Sequence, residues 1–280
     1  MCPSFFFVNL CLSMIHPTAI IHEKARARLG ANVSVGPYSV IDADVEVGAG
    51  CIIGPHVYLT GVTKIGTGNK FHAGSVIGDA PQDLKYKDAP TRLRIGDNNV
   101  FRENTTVHRS TKLDEDTVVG SHNFFMCDSH IAHNCQIGSH IIMANGSLLA
   151  GHVEVQDRVF MSGNSAVHQH CRVGTLAMMQ GGAAASQDVP PYTIAMNGLN
   201  LICGLNSVGL RRANFSPEER LLLRQLYKFL FRSGKNRRPA VDEAREKFTS
   251  QAAKNLLDFI AAARRGVCSD PGKHQLNEEE

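Results

Sequence analysis

The sequence predicts a mainly β protein, a parallel β-helix followed by a small C-terminal α-helical domain. Two observations predict this fold class. Large apolar residues recur at every sixth position over more than half of the 280 residues, and glycine often follows them. Near residue 190 this rhythm stops, and helix-start signals and helical patterns follow.

The six-residue repeat extends from Leu29 to Met179. Of the 26 positions in this phase, 24 hold a large aliphatic residue, Met or Phe, and only Asp83 and Ala89 do not. Glycine follows the repeat position ten times. A helix has a period of 3.6 and a half-buried strand a period of 2, so a period of six indicates short strands joined by sharp corners. Three strands and three corners make one coil of about 18 residues.

Coils of this kind stack at the ordinary interstrand distance of about 4.8 Å, so residues 18 apart become neighbours. Residues 29–185 supply roughly nine coils, and Ile15 and Ile21 begin one more after a slip of two residues. Both breaks in the repeat fall in the segment DAPQDLKYKDAPTRLR at residues 79–94. We interpret this segment as a loop extruded from the coil, where function is often found.

Domain limits follow from these patterns. We assign residues 14–189 to the β-helix, residues 190–266 to the helical domain and residues 267–280 to a tail. The motif SPEE at Ser216–Glu219 is a capping box with proline at the first helical position, which predicts the start of a helix.

Residues 1–13 are interpreted as an N-terminal extension outside the fold. Their apolar stretch has no Lys or Arg before it, unlike a secretory signal. Translation from Met1 and translation from Met14 are both compatible with the pattern.

Composition favours an ordered protein in a reducing compartment. Hydrophobic residues make up 43% of the chain, the net charge is +3, and no apolar run approaches the roughly 20 residues of a membrane span. The eight cysteines form no CxxC pair, which favours idle thiols over a zinc knuckle or a disulfide framework. We therefore expect a cytoplasmic protein with no stable membrane insertion and no nucleic-acid partner.

Basic residues concentrate near the C-terminus. Residues 211–265 contain 14 Lys and Arg against 6 Asp and Glu. This helical region could attract an acidic protein or a phosphate group.

Histidine is concentrated in the second half of the repeat, where eight of the 13 lie: His108, His122, His130, His133, His140, His152, His168 and His170. The 18-residue spacing places His133 one coil from Gly151. An imidazole can take a proton from a hydroxyl, and a backbone N–H can hold the oxyanion formed when that hydroxyl attacks a carbonyl. This pair suits acyl transfer. The alternatives are that the glycine only forms a corner and that the histidines bind metal.

Six segments carry a resemblance to a known family: HIAHN (130–134), LAGHVEV (149–155), AVHQHC (166–171), QDLKY (82–86), QDVPPY (187–192) and GLRRANFS (209–216). Together they resemble the UDP-N-acetylglucosamine O-acyltransferases, from Ile15 to about Gly266. The resemblance implies a left-handed β-helix and a homotrimer with active sites between subunits. It implies transfer of a 3-hydroxyacyl group from the phosphopantetheine of acyl carrier protein to the 3-hydroxyl of UDP-N-acetylglucosamine, the first step of lipid A biosynthesis.

The resemblance also implies residue roles. His133 is the general base, and the backbone of Gly151 is the oxyanion donor. Asn206 and Arg212 meet the nucleotide diphosphate, for which the planar guanidinium fork is suited. The other implied substrate-binding residues are Gln82, Asp83 and Lys85 on the extruded loop, together with His108, His130, His152, His168 and Gln169.

No metal or redox cofactor is implied, because a thioester is already activated. The ordinary sugar and its 3-amino analogue both remain open as acceptors.

Three positions bear on how closely this chain follows the family. Asn134 follows the implied base where well-known members have aspartate, so we expect a weaker base or a different orienting partner. Ala213 replaces a third cation that some members carry. Gly181, beside Gln180, matches the position that limits acyl length, and a glycine there favours a longer hydroxyacyl chain.

Other readings keep the fold and change the chemistry. The sugar N-acyltransferase of the same pathway usually has an additional N-terminal domain. A zinc carbonic anhydrase uses three histidines from adjacent subunits, but it leaves the QDLKY loop and the helical domain without a role. If the chain is a solenoid without activity, both the QDLKY loop and the histidine cluster must have arisen by chance.

Overall fold

The computed structural model describes residues 14–272 and shows a left-handed, three-sided parallel β-helix followed by a small group of helices. The predicted fold class is confirmed. The predicted extension at residues 1–13 and residues 273–280 of the predicted tail lie outside the described residues.

Three sheets form the sides of the prism, and we number them as faces. Face 1 has ten strands in the described residues: Ile20–Ile21, Val40–Ile41, Tyr58–Leu59, Val76–Asp79, Thr106–His108, His130–Ile131, Leu148–Leu149, Ala166–Val167, Ala183–Ala185 and Gly198–Leu199. Face 2 also has ten there: Ser34–Val35, Ile52–Ile53, Lys70–Phe71, Val100–Phe101, Phe124–Phe125, Ile142–Met143, Phe160–Met161, Met178–Met179, Thr193–Ala195 and Ile202–Leu205.

Face 3 is the shortest side over residues 14–272, with seven strands: Val45–Val47, Val62–Ile65, Arg92–Ile95, Thr117–Val119, Gln136–Ile137, Glu154–Val155 and Arg172–Val173. The chain passes from face 1 to face 3, then to face 2 and back to face 1. The three lines of corners are named by the faces that they join, so that residues following a face 1 strand form the 1/3 edge.

The register confirms the predicted coil length. His130 pairs with Leu148, and Leu148 pairs with Ala166, so that strands on one face are 18 residues apart. In the first coil Ile20 pairs with Val40, twenty positions later, because helix α1 (Glu23–Arg26) is included. This is the predicted slip of two residues.

The extruded loop is shorter than predicted. Val76 pairs with Thr106, thirty positions later, so this coil has twelve extra residues. Strands include Asp79 at one end and Arg92 at the other, and the loop is therefore residues 80–91 instead of 79–94.

A second loop was not predicted. Thr106 pairs with His130, twenty-four positions later, and the six extra residues lie in an eight-residue loop at 109–116. An insertion of six keeps the phase of the repeat, and Leu113 therefore matched the pattern. Its side chain is 55% exposed and does not belong to the core.

The inside of the prism is filled by the apolar repeat residues from Val35 to Met179, apart from Leu113. Phe71, Phe101 and Phe125 stack in consecutive coils at centroid distances of 4.9 and 5.0 Å. At the adjacent 3/2 edge the Asn99 amide donates to Asn69 Oδ1 over 2.9 Å, one step of a buried asparagine ladder. Such ladders satisfy corner groups that have no strand partner.

The helical region begins later than predicted. Strands Thr193–Ala195 and Ile202–Leu205 still belong to face 2, so the boundary at residue 190 is wrong and the first helix of this region starts after Asn206. The coil loses two residues near Pro190, since Met178 pairs with Ile194 only sixteen positions later. The six-residue phase is lost there although the strands continue.

Four helices follow up to residue 272: α2 (Ser207–Arg212), α3 (Pro217–Phe231), α4 (Arg237–Lys247) and α5 (Gln251–Ala261). The Ser216 hydroxyl accepts from Glu219 N over 3.1 Å, which confirms the predicted cap of α3. Arg172 joins the two regions, because its guanidinium lies 2.7 Å from Asp188 and 4.2 Å from the Phe259 ring centroid.

The beginning of the predicted tail is part of the packed structure. Val267 and Cys268 are buried, and Val267 bridges to Asp188. Asp270 accepts hydrogen bonds from the Tyr227 hydroxyl at 2.6 Å and from Arg232 Nε at 2.7 Å. These contacts hold residues 267–270 against the end of the β-helix.

Candidate active site

His133 lies on the 1/3 edge, directly after the face 1 strand that ends at Ile131. The following residue, Asn134, has a φ of +59°, and asparagine is among the residues that tolerate this left-handed conformation. The corner turns the His133 ring to the outside of the prism, where it is half-buried.

The neighbouring amide determines which ring nitrogen of His133 can react. His133 Nδ1 lies 2.8 Å from Asn134 Oδ1. Thr111 N donates to the same atom over 3.0 Å, and a backbone N–H can only donate, so this atom is the amide oxygen. His133 Nδ1 therefore carries the proton, and Nε2 is free to accept one.

Gly151 lies one coil from His133. His152 N donates to His133 O over 2.9 Å, which fixes the two corners against each other. A Cβ on Gly151 would be only 2.5 Å from His133 Cε1 and 2.7 Å from Nε2, so the imidazole rests against the glycine backbone. Among the described residues the Gly151 N–H donates to no protein group. The base and a free amide donor are thus adjacent.

A cavity of about 600 Å³ opens beside this pair along face 1, and we call it the His133 cavity. It brings together six of the predicted site residues: Gln82, His130, His133, Gly151, His168 and Gln169. Its remaining lining is mostly small or aliphatic and includes Leu148, Ala166, Ala184 and Leu199. The cavity therefore has a polar end at the 1/3 edge and an apolar floor.

His130 lines this cavity, and His108 lies against His130. Their rings meet edge to face at 4.9 Å, and His130 Nδ1 is 2.7 Å from Thr106 Oγ1. Burial, together with the neighbouring His108 and His133, lowers the pKa of His130 to about 4. Burial also lowers the pKa of His108, whose Nδ1 is buried without a hydrogen-bond partner. Both rings are therefore neutral near pH 7.

His152 contacts the base instead of lining the cavity. Its ring meets His133 edge to face at 5.3 Å and stacks on His170 at 4.5 Å. Burial lowers the pKa of His152, although Glu115 Oε1 lies 3.7 Å from its Nδ1. His152 is thus behind the base as viewed from the cavity.

Of the predicted site residues on the extruded loop, only one lines the His133 cavity. Gln82 lines the His133 cavity, whereas Asp83 and Lys85 are not among its lining residues. Asp83 Oδ1 accepts from Lys85 N over 2.9 Å, and the Leu84 side chain between them is fully exposed.

Asn206 and Arg212 do not line the His133 cavity. They line a separate cavity of about 760 Å³ between face 2 and helix α2, together with His140 and Arg158. Asn206 caps α2 by accepting from Gly209 N over 2.9 Å, and it donates to Leu176 O over 2.9 Å. Within one chain these residues are not brought to His133.

Gly181 lies on the 2/1 edge and does not line the His133 cavity. A Cβ at this position would meet only Gly163 O, at an ordinary 3.6 Å. A side chain could therefore be accommodated there.

Two groups of residues at the site were not predicted from the sequence. The apolar floor occupies outward positions of face 1 strands, one residue before each repeat position, and this register could have revealed it. Ser110, Thr111 and Glu115 belong to the loop at 109–116, which the intact phase concealed. Its only signal is the polar run RSTKLDED.

Neither a metal centre nor a membrane span is found in residues 14–272. No three His, Cys, Asp or Glu side chains there are grouped to hold an ion. None of the helices there has the length and apolar character needed to cross a bilayer.

The six-residue repeat with this corner site defines the class of hexapeptide-repeat transferases. A family model described as bacterial transferase hexapeptide (six repeats) matches residues 26–61. A second, described as UDP N-acetylglucosamine O-acyltransferase, domain 2, matches residues 188–268.

Two similar proteins are named acyl-(acyl-carrier-protein)–UDP-N-acetylglucosamine O-acyltransferase. The one from Thermodesulfovibrio yellowstonii is 42% identical over 259 residues, which cover 92% of this chain and 100% of the relative. The one from Syntrophobacter fumaroxidans is 44% identical over 256 residues, with coverages of 90% and 98%.

Solved structures of UDP-N-acetylglucosamine acyltransferases are also similar to this chain. The UDP-N-acetylglucosamine acyltransferase of Francisella novicida has a TM-score of 0.86 at 36% identity and covers 93% of this chain and 96% of its own. The enzyme of the same description from Bacteroides fragilis has a TM-score of 0.86 at 38% identity, with coverages of 90% and 98%. The chain belongs to the UDP-N-acetylglucosamine O-acyltransferase family and is an O-acyltransferase.

Proposed function

We propose that this protein transfers a 3-hydroxyacyl group from the phosphopantetheine of acyl carrier protein to the 3-hydroxyl of UDP-N-acetylglucosamine, the first step of lipid A biosynthesis. The observation that carries the proposal is the contact between the His133 ring and the backbone of Gly151, whose N–H donates to no group in residues 14–272. The names of the similar proteins supply the carrier and the sugar nucleotide.

The proposed reaction needs one base and one amide. His133 Nε2 takes the proton of the sugar hydroxyl as its oxygen attacks the thioester carbonyl. The Gly151 N–H donates to the oxyanion of the tetrahedral intermediate. Collapse of the intermediate breaks the carbon–sulfur bond, and the imidazolium returns its proton to the departing sulfur. A general base of this kind contributes about 10²- to 10⁴-fold, and no metal or redox cofactor takes part.

The lining of the His133 cavity suits both substrates. Gln82, His130, His168 and Gln169 offer polar groups to the sugar near the base. The apolar floor along face 1 suits the acyl chain. We further propose that Gly181 leaves space beyond this floor for a longer hydroxyacyl chain.

A homotrimer accounts for the composition of the outer surfaces. Face 2 points apolar side chains outward along much of its length: Ile52, Val100, Phe124, Ile142, Phe160, Met178 and Ile194. Face 1 does the same with Ile20, Val40, Tyr58, Val76, Leu148, Ala166 and Leu199. Face 3 instead points Glu46, Lys64, Arg94, Gln136, Glu154 and Arg172 outward.

Packing face 1 of one copy on face 2 of the next makes a head-to-tail contact that a three-fold ring can close. This arrangement leaves the charged face 3 in solvent. It also lets Asn206 and Arg212 of a neighbouring copy complete the His133 cavity, where they meet the nucleotide diphosphate.

The remaining surfaces suit an acidic protein partner in a reducing compartment. The segment 211–265 has a net charge of +8, from 14 basic and 6 acidic residues, and Lys85 is exposed on the extruded loop. These cations support acyl carrier protein as the donor. The cysteines of residues 14–272 are free thiols, which supports the cytoplasm as the location.

The test is an acyl transfer assay with 3-hydroxyacyl carrier proteins of several chain lengths and, as acceptor, either UDP-N-acetylglucosamine or its 3-amino analogue. Wild type turns over with a preference for longer chains, and His133→Ala loses at least about 10²-fold in kcat. His56→Asn, an exposed histidine on a distant corner, retains full activity. Equal turnover of His133→Ala and wild type contradicts the assigned base, and turnover only with the 3-amino sugar contradicts the assigned acceptor.

A further inference from the structure

The amide of Asn134 is held by the unexpected loop at 109–116. Thr111 donates twice to Asn134 Oδ1, from its backbone N over 3.0 Å and from its hydroxyl over 2.9 Å. On the other side, Asn134 Nδ2 donates to the Ser110 hydroxyl oxygen over 2.7 Å. That oxygen also accepts from Lys112 N over 3.0 Å.

The network is buried and allows a single amide orientation. Asn134 is 1% exposed and Ser110 is fully buried, and Thr111 beside them is half-buried. A rotated amide would point its NH₂ group at the Thr111 N–H and would leave that N–H without its acceptor. When a partner is removed, a buried polar group of Asn134 is left unsatisfied, and its full desolvation penalty is then lost from the stability of the protein.

The orientation of this amide determines the chemistry of His133. With its oxygen toward the ring, Asn134 accepts from Nδ1–H and leaves Nε2 as the proton acceptor. With its NH₂ group toward the ring, Asn134 would donate to Nδ1, and the ring proton would move to Nε2. A neutral imidazole protonated at Nε2 cannot take the proton of a substrate that lies on that side.

We propose that Ser110 and Thr111 are positioning residues that select the Nδ1–H tautomer of His133 through Asn134. They touch neither the cavity nor the reacting atoms, and they act only through the amide. The link to turnover rests on the proposed function, whereas the tautomer is a property of the protein alone. By this arrangement a neutral amide can orient the base without a carboxylate.

The experiment uses the full-length protein with ¹³C- and ¹⁵N-labelled histidine. NMR chemical shifts of the ring distinguish the two tautomers, and the His133 signals are identified by their loss in His133→Gln. We compare wild type with Ser110→Ala/Thr111→Pro, which removes both hydroxyls and the Thr111 N–H, with the conservative Thr111→Ser, and with Thr105→Val. Thr105 is a buried corner threonine that does not contact Asn134, so its substitution is a matched control.

In wild type, in Thr111→Ser and in Thr105→Val we expect His133 to carry its proton on Nδ1. In the double variant we expect a mixture of tautomers and a fall in kcat of about 10-fold or more, with little change in KM, because a general base supplies about 10²- to 10⁴-fold.

An unchanged His133 tautomer in a folded double variant overturns the proposal, as does an equal loss of kcat in Thr105→Val. If the wild type transfers no acyl group at all but the double variant still shifts the tautomer, the positioning role holds and the proposed function fails.

Discussion

At residue 151 the absence of a side chain makes the contact between the base and the amide possible. A Cβ would lie 2.5 Å from His133 Cε1, closer than real Cβ contacts, and the ring would have to move. Gly151→Ala is therefore expected to lower kcat by about 10²-fold or more, because a base displaced by 1 Å loses its alignment. Acyl transfer kinetics measure this loss.

Gly163→Ala is the matched control for that substitution. Gly163 lies on the 2/1 edge, and a Cβ there would meet only Asn145 O at 3.4 Å. Its activity and its unfolding midpoint should remain close to those of wild type. A loss of kcat in Gly163→Ala as large as in Gly151→Ala would mean that added bulk at any corner impairs the coil.

A carboxylate at residue 134 should change the pH dependence of turnover. Asn134→Asp places a buried negative charge beside His133 Nδ1, and this charge stabilises the imidazolium. The base must be neutral to act, so the acidic limb of the kcat profile is expected to move to higher pH by about 1 unit. Turnover measured from pH 5 to 9 tests this shift, and an unmoved limb would contradict it.

The sequence predicted part of the site at the level of residues. The 18-residue spacing was sufficient to place His133 beside Gly151, because coil stacking converts spacing into contact. The role of Asn206 as the cap of α2 was not predicted, because the helix boundary was placed before the last strands. The hydrogen bonds from Thr111 could not be predicted, since their loop preserves the repeat phase.

Among the elements, the face 1 strand His130–Ile131 carries a histidine whose pKa, about 4, lies below the usual 6.5 because of burial. The unfolded chain therefore binds more protons than the folded chain between pH 6.5 and 4, and the free energy of unfolding falls as the pH is lowered through this range. At pH 5 the expected loss from this group is about 2 kcal/mol per chain.

Urea unfolding at pH 7.5 and pH 5, at one protein concentration, measures this contribution. His130→Gln removes the titrating group, so its stability should fall less between the two pH values than that of wild type. His56→Gln, which replaces an exposed histidine, should retain the wild-type dependence. A loss as large in His130→Gln as in wild type would contradict the assignment.

Strands and helices were predicted correctly where the residues at the repeat positions also form the core. They were misplaced where the repeat phase and the core no longer agree. The capping box of α3 was predicted correctly, because its residues act locally. The strands after Pro190 were missed because a coil of sixteen residues breaks the phase while retaining the pairing. Loop 109–116 shows the opposite case, in which the phase continues although the chain leaves the prism.

At the scale of the whole molecule, the apolar outer surfaces lead to a prediction about assembly. Phe124 on face 2 and Val118 on face 3 both point outward, one corner apart in the same coil. Phe124→Glu is expected to convert the proposed trimer to monomers, because it buries a charge in the contact. Val118→Glu on the solvent-facing side should remain trimeric. Sedimentation equilibrium measures both masses.

Loss of assembly should also remove activity, because Asn206 and Arg212 reach the His133 cavity only from a neighbouring copy in the proposed ring. A Phe124→Glu protein that is monomeric and fully active would contradict the shared site. A trimeric Phe124→Glu protein would contradict the assigned contact.

The segment Val267–Asp270 has a consequence for the integrity of the solenoid. Ile202 N donates to Ser269 O, and Cys268 N donates to Asp188 O, so this segment closes polar groups of the last coil. An uncovered coil end is a template on which the first coil of another molecule can add, and repetition of that addition yields fibres. Residues 267–270 thus cap the last coil and prevent another molecule from extending it.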